Sequence, residues 1–157
     1  MIYFNSIGWV ILMLVRKYMK EDFEDVCDIL VEAFVSVASA FKDKEINSDL
    51  LDLDENKYFQ VVAEDEGKVV GYLLATKNVD PVLKRNNFWI DYVCVDSNCR
   101  GKGIGRQLLT KIEEIAKEEN GYYLQLTSSR FRTHARKLYM DFGFEMRESD
   151  IFRKVLG

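Results

Sequence analysis

The 157-residue sequence contains one proline, one histidine and three cysteines. With Pro81 alone, a proline-rich linker or polyproline recognition arm is excluded, and no glycine- or serine-rich tract replaces it as a flexible connector. His134 is the single histidine, and Cys27, Cys94 and Cys99 follow no CxxC or related spacing, so a Cys/His zinc site lacks its ligands and no metal is expected. Reduced thiols in a cytoplasmic protein are the simplest reading of three unpatterned cysteines. A basic excess is also missing. Asp and Glu total 26 against 22 Lys and Arg, for a net charge of −4, which argues against a nucleic-acid partner. The longest apolar stretch, Ile2–Val15, is shorter than the roughly 20 residues of a membrane span and is broken by Asn5, Ser6 and Gly8. Arg16 and Lys17 follow that stretch, where a signal peptide would carry its basic residues first, so no membrane association is expected.

What the chain does contain is an ordinary globular balance, 48% apolar and 31% charged, at a length that suits one domain with a substantial core. No repeat or composition shift marks an internal boundary. Domain-like patterning begins at Met13. Residues 1–12 therefore read as an apolar N-terminal extension, an added strand or a translated leader, and residues 13–157 as a single domain.

Apolar periodicity predicts a strand over Leu12–Tyr18, an amphipathic helix over Glu21–Ser39 and a weaker helical segment over Ile46–Leu53. Two β-rich runs, Tyr58–Glu64 and Lys68–Thr76, are joined by the turn residues Asp65-Glu66-Gly67. Gly71 within the second run predicts a bulge or a close packing contact. Pro81 and Asn86-Asn87 predict a loop, followed by a strand over Phe88–Val95, a helix over Gly105–Glu119 and a stop at Asn120-Gly121. A strand over Tyr122–Thr127, a helix over Phe131–Phe142 and a closing hairpin of Gly143–Arg147 with Ile151–Val155 complete the order. The expected fold is α/β (α+β): a single mixed, mostly antiparallel sheet of six to seven strands flanked by about four helices.

Between the strand ending at Val95 and the next helix lies Arg100-Gly101-Lys102-Gly103-Ile104-Gly105, with Arg106 beyond it. Three glycines allow successive N–H groups to line one concavity, the helix start adds its positive dipole end, and three cations add formal charge. The combination suits a pyrophosphate. Neither a P-loop nor a dinucleotide fingerprint is present, because the Lys-Ser/Thr pair is missing and the third glycine comes one residue early.

The segment from Val95 through Arg100, Gly103 and Gly105 to Leu108-Leu109 resembles the acetyl-CoA-binding signature of the GNAT superfamily of N-acyltransferases. A second block resembles the family's closing segments: Leu126 to Ser129, then Arg132, Ala135, Leu138-Tyr139 and Phe142-Gly143-Phe144-Glu145. The resemblance spans roughly Leu14 to Val155. The sequence departs from the pattern at Met19, where the family often has a capping Thr or Ser. It departs also at Arg132, where many members carry Asn, and in the short Glu148-Ser149-Asp150 link.

The resemblance implies an acetyl-CoA-dependent N-acetyltransferase acting by direct attack of an amine, with acetyl-CoA as co-substrate and no metal. Strand Phe88–Val95 would splay from strand Tyr122–Thr127, and the backbone at Val93, Cys94 and Val95 would pair with the pantetheine arm. Arg100, Gly101, Lys102, Gly103, Ile104, Gly105 and Arg106 would hold the pyrophosphate, with Arg132 also on the cofactor side. Tyr139 occupies the family's tyrosine position and would protonate the leaving thiolate. From spacing alone, Tyr139 belongs to an apolar helical stripe with Ala135, Leu138 and Phe142 and reads as core.

Asp91, four residues before Val95, matches a carboxylate of polyamine-acetylating relatives and would serve as base or amine-binding group. By strand alternation it shares a face with Val93 and Val95, and a strand-surface aspartate without a role is the competing reading. His134 falls on another helix face and reads as solvated. The acceptor is a small cationic amine or a peptide amine. A non-catalytic acyl-CoA-binding sensor of the same fold is the alternative function. The apolar N-terminus and aromatic-rich strands suit either a homodimer or the completed sheet of a monomer.

Overall fold

The computed structural model describes residues 2–4, 10–34, 38–39 and 48–156. The chain packs as two compact units, Met1–Thr127 and Ser128–Gly157. In the first unit, β1 (Ile2–Phe4) and β2 (Val10–Leu12) pair antiparallel as a two-stranded ribbon. Five further strands form one sheet in chain order: β3 (Leu14–Lys17), β4 (Tyr58–Asp65), β5 (Lys68–Asp80), β6 (Arg85–Val95) and β7 (Gly121–Leu126). Neighbours from β3 to β6 are antiparallel, whereas β7 runs parallel to β6. The mixed, mostly antiparallel class expected from the sequence is the one observed, with five strands in the main sheet among the described residues.

Helix α1 (Phe23–Ala33) follows a 3-10 turn at Lys20–Asp22 and stops at Phe34, whose backbone is extended. The expected Glu21–Ser39 helix is therefore not continuous: extended Phe34 interrupts it, residues 38–39 are again helical, and only residues 35–37 of that span lie outside the described residues. Of the segment expected over Ile46–Leu53, the described part forms a 3-10 turn at Ser48–Leu51. Val26, Ile29 and Leu30 of α1 cover one face of the sheet through Val62, Val69, Tyr72, Leu74 and Cys94.

Helix α2 (Ile104–Glu118) covers the opposite face, with Leu108, Leu109 and Ile112 fully buried. Gly71 is where it comes closest. A Cβ at that position would stand 2.8 Å from Ile104 Cγ2 and 3.1 Å from Leu108 Cδ1. The β4–β5 register also slips here, with Ala63 opposite Gly71 and Glu64 opposite Val69, so that Val70 is the extra residue of a bulge. The close packing contact therefore falls on Gly71, and the bulge on its neighbour Val70. At its other end, α2 is tied down by Asn86 Nδ2, which donates to the Glu119 carbonyl at 2.7 Å, and by Lys77, which meets the Glu119 carboxylate at 2.9 Å.

Two expectations fail. Asn86 and Asn87, read as loop residues, lie within β6, because the β5–β6 hairpin extends to the pair Asp80↔Arg85. Asp80 Oδ1 accepts hydrogen bonds from the N–H groups of Val82 and Leu83, and this tight turn lets both strands run beyond β4. The closing hairpin is also not formed: residues 144–156 contain no strand. Ile151, Phe152, Val155 and Leu156 are all more than 60% exposed, so neither face of such a hairpin would be buried. A two-stranded hairpin without a buried face is marginal in water. The second unit holds α3 (Thr133–Phe142), ended by Gly143 at φ +108° with the Phe144 N–H bonded to the Tyr139 carbonyl.

One polar network is drawn into the apolar interior of the first unit. Arg16 on β3 donates to both Asp22 oxygens at 2.7 and 2.8 Å and to Glu64 Oε2 of β4 at 2.8 Å. Asp22, 6% exposed, also accepts the Met19 N–H at 2.7 Å, supplying the cap that the Met19 side chain lacks. Burial alone would raise the Asp22 carboxyl, but hydrogen bonds from Arg16 and Met19 outweigh it and hold the pKa below the ordinary value. Asp22→Ala should lower the unfolding free energy by about 2 kcal/mol in urea at pH 7, since it leaves Arg16 with Glu64 alone and the Met19 N–H without its acceptor. In the wild type this contribution is full above the ordinary aspartate pKa and is lost as pH falls through the depressed folded-state value.

Candidate active site

Pairing between β6 and β7 ends at Ile90↔Leu126. Strand β6 runs on through Asp91–Val95, paired with β5 on one side through Tyr92↔Leu74, Val93↔Leu73, Cys94↔Tyr72 and Val95↔Gly71. On the other side, β7 offers this stretch no strand partner. The backbone groups of Val93, Cys94 and Val95 thus lie on the part of β6 that runs beyond its pairing with β7.

Immediately after Val95 the chain turns. The Asp96 N–H bonds the carbonyl of the bulge residue Val70 at 2.9 Å, and Asp96 Oδ1 accepts the Asn98 N–H at 2.8 Å. A 3-10 turn at Ser97–Cys99 follows, and Arg100 Nε donates to the Val95 carbonyl at 3.3 Å. Gly101 at φ +80° and Gly103 at φ +79° take left-handed conformations that favour glycine. Gly103 caps α2, so the N–H groups of Ile104, Gly105 and Arg106 head the helix with no intrahelical acceptor. Arg100, Lys102 and Arg106 belong to the same turn. Backbone donors and a helix start therefore lie at the end of β6, in a segment that also carries Arg100, Lys102 and Arg106, an arrangement that suits a phosphate-bearing ligand.

The expected face of Asp91 requires correction. The β5–β6 register slips between Leu74↔Tyr92 and Ala75↔Ile90, which makes Asp91 the extra residue of a bulge. Alternation therefore reverses across it. Tyr92 and Cys94 pack on the α1 side with Tyr72 and Leu74, whereas Val93 and Val95 pair with Leu73 and Gly71 on the α2 side. Asp91 accepts a hydrogen bond from Thr76 Oγ1 at 2.6 Å, and Thr76 shares the α1 side with Leu74 two residues earlier. Asp91 thus faces the α1 side, opposite Val93 and Val95. Partial withdrawal from water raises its carboxyl pKa, and the Thr76 hydrogen bond opposes that rise.

Other candidates fall elsewhere. Arg132 and Tyr139 belong to the second unit, where Arg132 precedes α3 and the half-buried Tyr139 ring meets Phe144 edge-on at 5.9 Å. His134 is exposed. Cys27 and Cys94 are buried and Cys99 half-buried, and burial pushes the Cys27 thiol up to about 11, which keeps it protonated at neutral pH. Thr76 drew no attention from sequence, because only the strand register brings it to Asp91.

The sequence profile of the Acetyltransferase (GNAT) family matches residues 23–144, an interval that contains the β6 end, the glycine turn and α3. The chain belongs to this family. Among curated relatives, N-acetyltransferase 8B of Homo sapiens is 31% identical over 91 residues, which cover 58% of this chain and 40% of that protein. An uncharacterised N-acetyltransferase of Methanocaldococcus jannaschii is 28% identical over 140 residues, 85% of this chain and 61% of that one. The matched stretches thus span about half the length of these relatives. A Trypanosoma brucei acetyltransferase structure superposes with a TM-score of 0.75 at 18% identity, covering 92% of this chain and all of that one. An aminoglycoside acetyltransferase from a soil metagenome, solved with sisomicin, gives 0.75 at 18% identity, covering 92% and 97%. At such identities the structural likeness concerns the GNAT fold alone.

Because the first turn of α2 stands on Gly71, a side chain there should disturb the glycine turn. Gly71→Val is expected to lower stability by about 1–3 kcal/mol in urea unfolding. It should also shift the backbone amide NMR signals of residues 101–106, while those of the β5–β6 hairpin tip stay in place.

Proposed function

We propose that this GNAT-family chain transfers an acetyl group from acetyl-CoA to a primary amine, on a small cationic molecule or a peptide, by direct attack with both substrates bound. The observation that carries the reading is the end of β6, where five residues outrun β7 and lead straight into a cationic, glycine-rich turn at a helix start. These residues fit the ligand. The N–H groups of Ile104, Gly105 and Arg106, with Arg100, Gly101, Lys102 and Gly103, suit the pyrophosphate. The β7-side edge of Val93, Cys94 and Val95 suits the amides of a pantetheine arm, and Arg132 is assigned to the same ligand. Acetyl-CoA supplies the activated acyl carbonyl.

The remaining chemistry belongs to side chains and backbone. An N–H of the Val93–Val95 stretch polarises the carbonyl. An alkylamine, with a pKa of about 10.4, arrives protonated at pH 7, so a base is required. Asp91 is assigned that role: its carboxylate attracts the ammonium and takes the proton as the carbon–nitrogen bond forms. Tyr139 is assigned as the acid that protonates the sulfur as the carbon–sulfur bond breaks. The acidic balance of the chain favours a cationic acceptor, and the likeness in fold to a sisomicin-bound aminoglycoside acetyltransferase makes aminoglycosides worth testing beside polyamines and peptides.

The deciding experiment measures CoA-thiol release from acetyl-CoA with a panel of polyamines, aminoglycosides, amino acids and N-terminal peptides, alongside calorimetric acetyl-CoA binding. Amine-dependent thiol release is expected. Binding without turnover on any acceptor would favour an acyl-CoA-binding module, and absence of binding would overturn the reading. Gly103→Glu, which sets a carboxylate in the anion cradle, should weaken acetyl-CoA binding at least about tenfold, or about 1.4 kcal/mol. For Tyr139→Phe, loss of a general acid should slow turnover by about a hundredfold. A rate within about twofold of wild type, a difference below 1 kcal/mol, would remove Tyr139 from the mechanism.

A further inference from the structure

Thr76 stands on β5 across from Trp89 of β6, one pair away from the bulge. Asp91, as the extra residue, has no β5 residue directly opposite, so the ladder alone does not fix the direction of its side chain. The Thr76 hydroxyl does so by donating to Asp91 Oδ2 at 2.6 Å. At that length the bond is a strong, charge-assisted one, and it commits one carboxylate oxygen while the other is left to a further partner. We infer that Thr76 is a positioning residue, holding the Asp91 carboxylate in the orientation that receives the acceptor amine. This inference rests on the proposed amine-facing role of Asp91.

The surroundings give Thr76 leverage. Beside Asp91 on the same strand lie Trp89 and Tyr92, with Gln125 of β7 paired to Trp89 and Phe34, just after α1, stacked edge-on against Tyr92 at 5.1 Å. Tyr92 is the titratable group among them. The cations on the neighbouring strand positions are engaged elsewhere: Lys77, next to Thr76, bonds Glu119 on the α2 side, and Lys57 lies over the ring of Tyr58, which pairs with Thr76. Burial drives the Asp91 carboxyl up, and the Thr76 hydrogen bond is what acts against it. Without the hydroxyl, Asp91 would be both freer to rotate and harder to ionise.

Thr76→Val tests this, because it removes the hydroxyl at nearly constant volume and keeps the β-branched shape that the strand favours. A 13C NMR titration of the Asp91 carboxyl needs no turnover. The midpoint should rise by about half a unit to one unit in Thr76→Val and stay within about 0.2 unit of wild type in Thr76→Ser, which restores the donor. With a reactive amine, Thr76→Val should raise KM for the amine at least about threefold and leave KM for acetyl-CoA unchanged, with Thr76→Ser recovering most of the loss. An Asp91 titration unmoved by Thr76→Val would overturn the inference by itself. Asp91→Asn separates the two claims: if it leaves amine kinetics intact, the amine-facing role of Asp91 falls, and the role of Thr76 falls with it.

Discussion

Gly71 is the footing on which the cofactor-type turn of this fold stands. It pairs with Val95, the last residue of β6, and it also receives Ile104, the first residue of α2, at a distance no Cβ would permit. The turn begins and ends on the same strand position. Its span is therefore set by a backbone pair on one side and a van der Waals contact on the other. The carbonyl of the bulge residue Val70 adds a third tie by accepting the Asp96 N–H in continuation of the β5–β6 register. Glycine conformations inside the turn follow from this frame: the chain must reverse within a few residues, and Gly101 and Gly103 take the left-handed backbone that such a reversal needs.

The second bulge does for the opposite face what the first does for the turn. Without Asp91 as an extra residue, β6 would keep one alternation from Phe88 to Val95, and an acidic side chain in mid-strand would sit opposite a β5 residue in the ladder. With it, the strand presents Phe88 and Ile90 to α2, then Tyr92 and Cys94 to α1. The aspartate falls at the point of inversion, where strand geometry is least binding. A polar group placed there escapes full burial between the layers yet stays close to them.

How much of this could be read from the residues depended on whether the deciding cause was local. The glycine turn, the α2 periodicity, the Glu66-Gly67 hairpin turn and the stop at Asn120 were legible because glycine, asparagine and apolar spacing act within a few residues. The bulge at Asp91 was not, because Phe88–Val95 is apolar at nearly every other position, so a period of two shows no phase to lose. Asn86-Asn87 has the composition of a loop, and cross-strand pairing with β5 overrode it. The closing hairpin showed the reverse error: apolar residues recur there in sequence, but Met146, Ile151, Phe152 and Val155 are all left exposed. For the candidate site the same division holds. The anion cradle is contiguous in sequence and was legible, whereas Thr76 is 15 residues from Asp91 and meets it only through the register.

Helix α2 is clamped at both ends by the same pair of strands: at its start by Gly71 on β5, and at its close by Lys77 of β5 and Asn86 of β6. Its fifteen residues therefore act as a gauge rod cut to the sheet. One inserted residue would lengthen the rod by about 1.5 Å and rotate one end against the other by about 100°. Either the far clamp would have to open, or the helix start would swing its N–H groups away from the end of β6. Loops of this fold can change length and leave the sheet unaltered, but the segment between those two clamps is a dimension of the molecule.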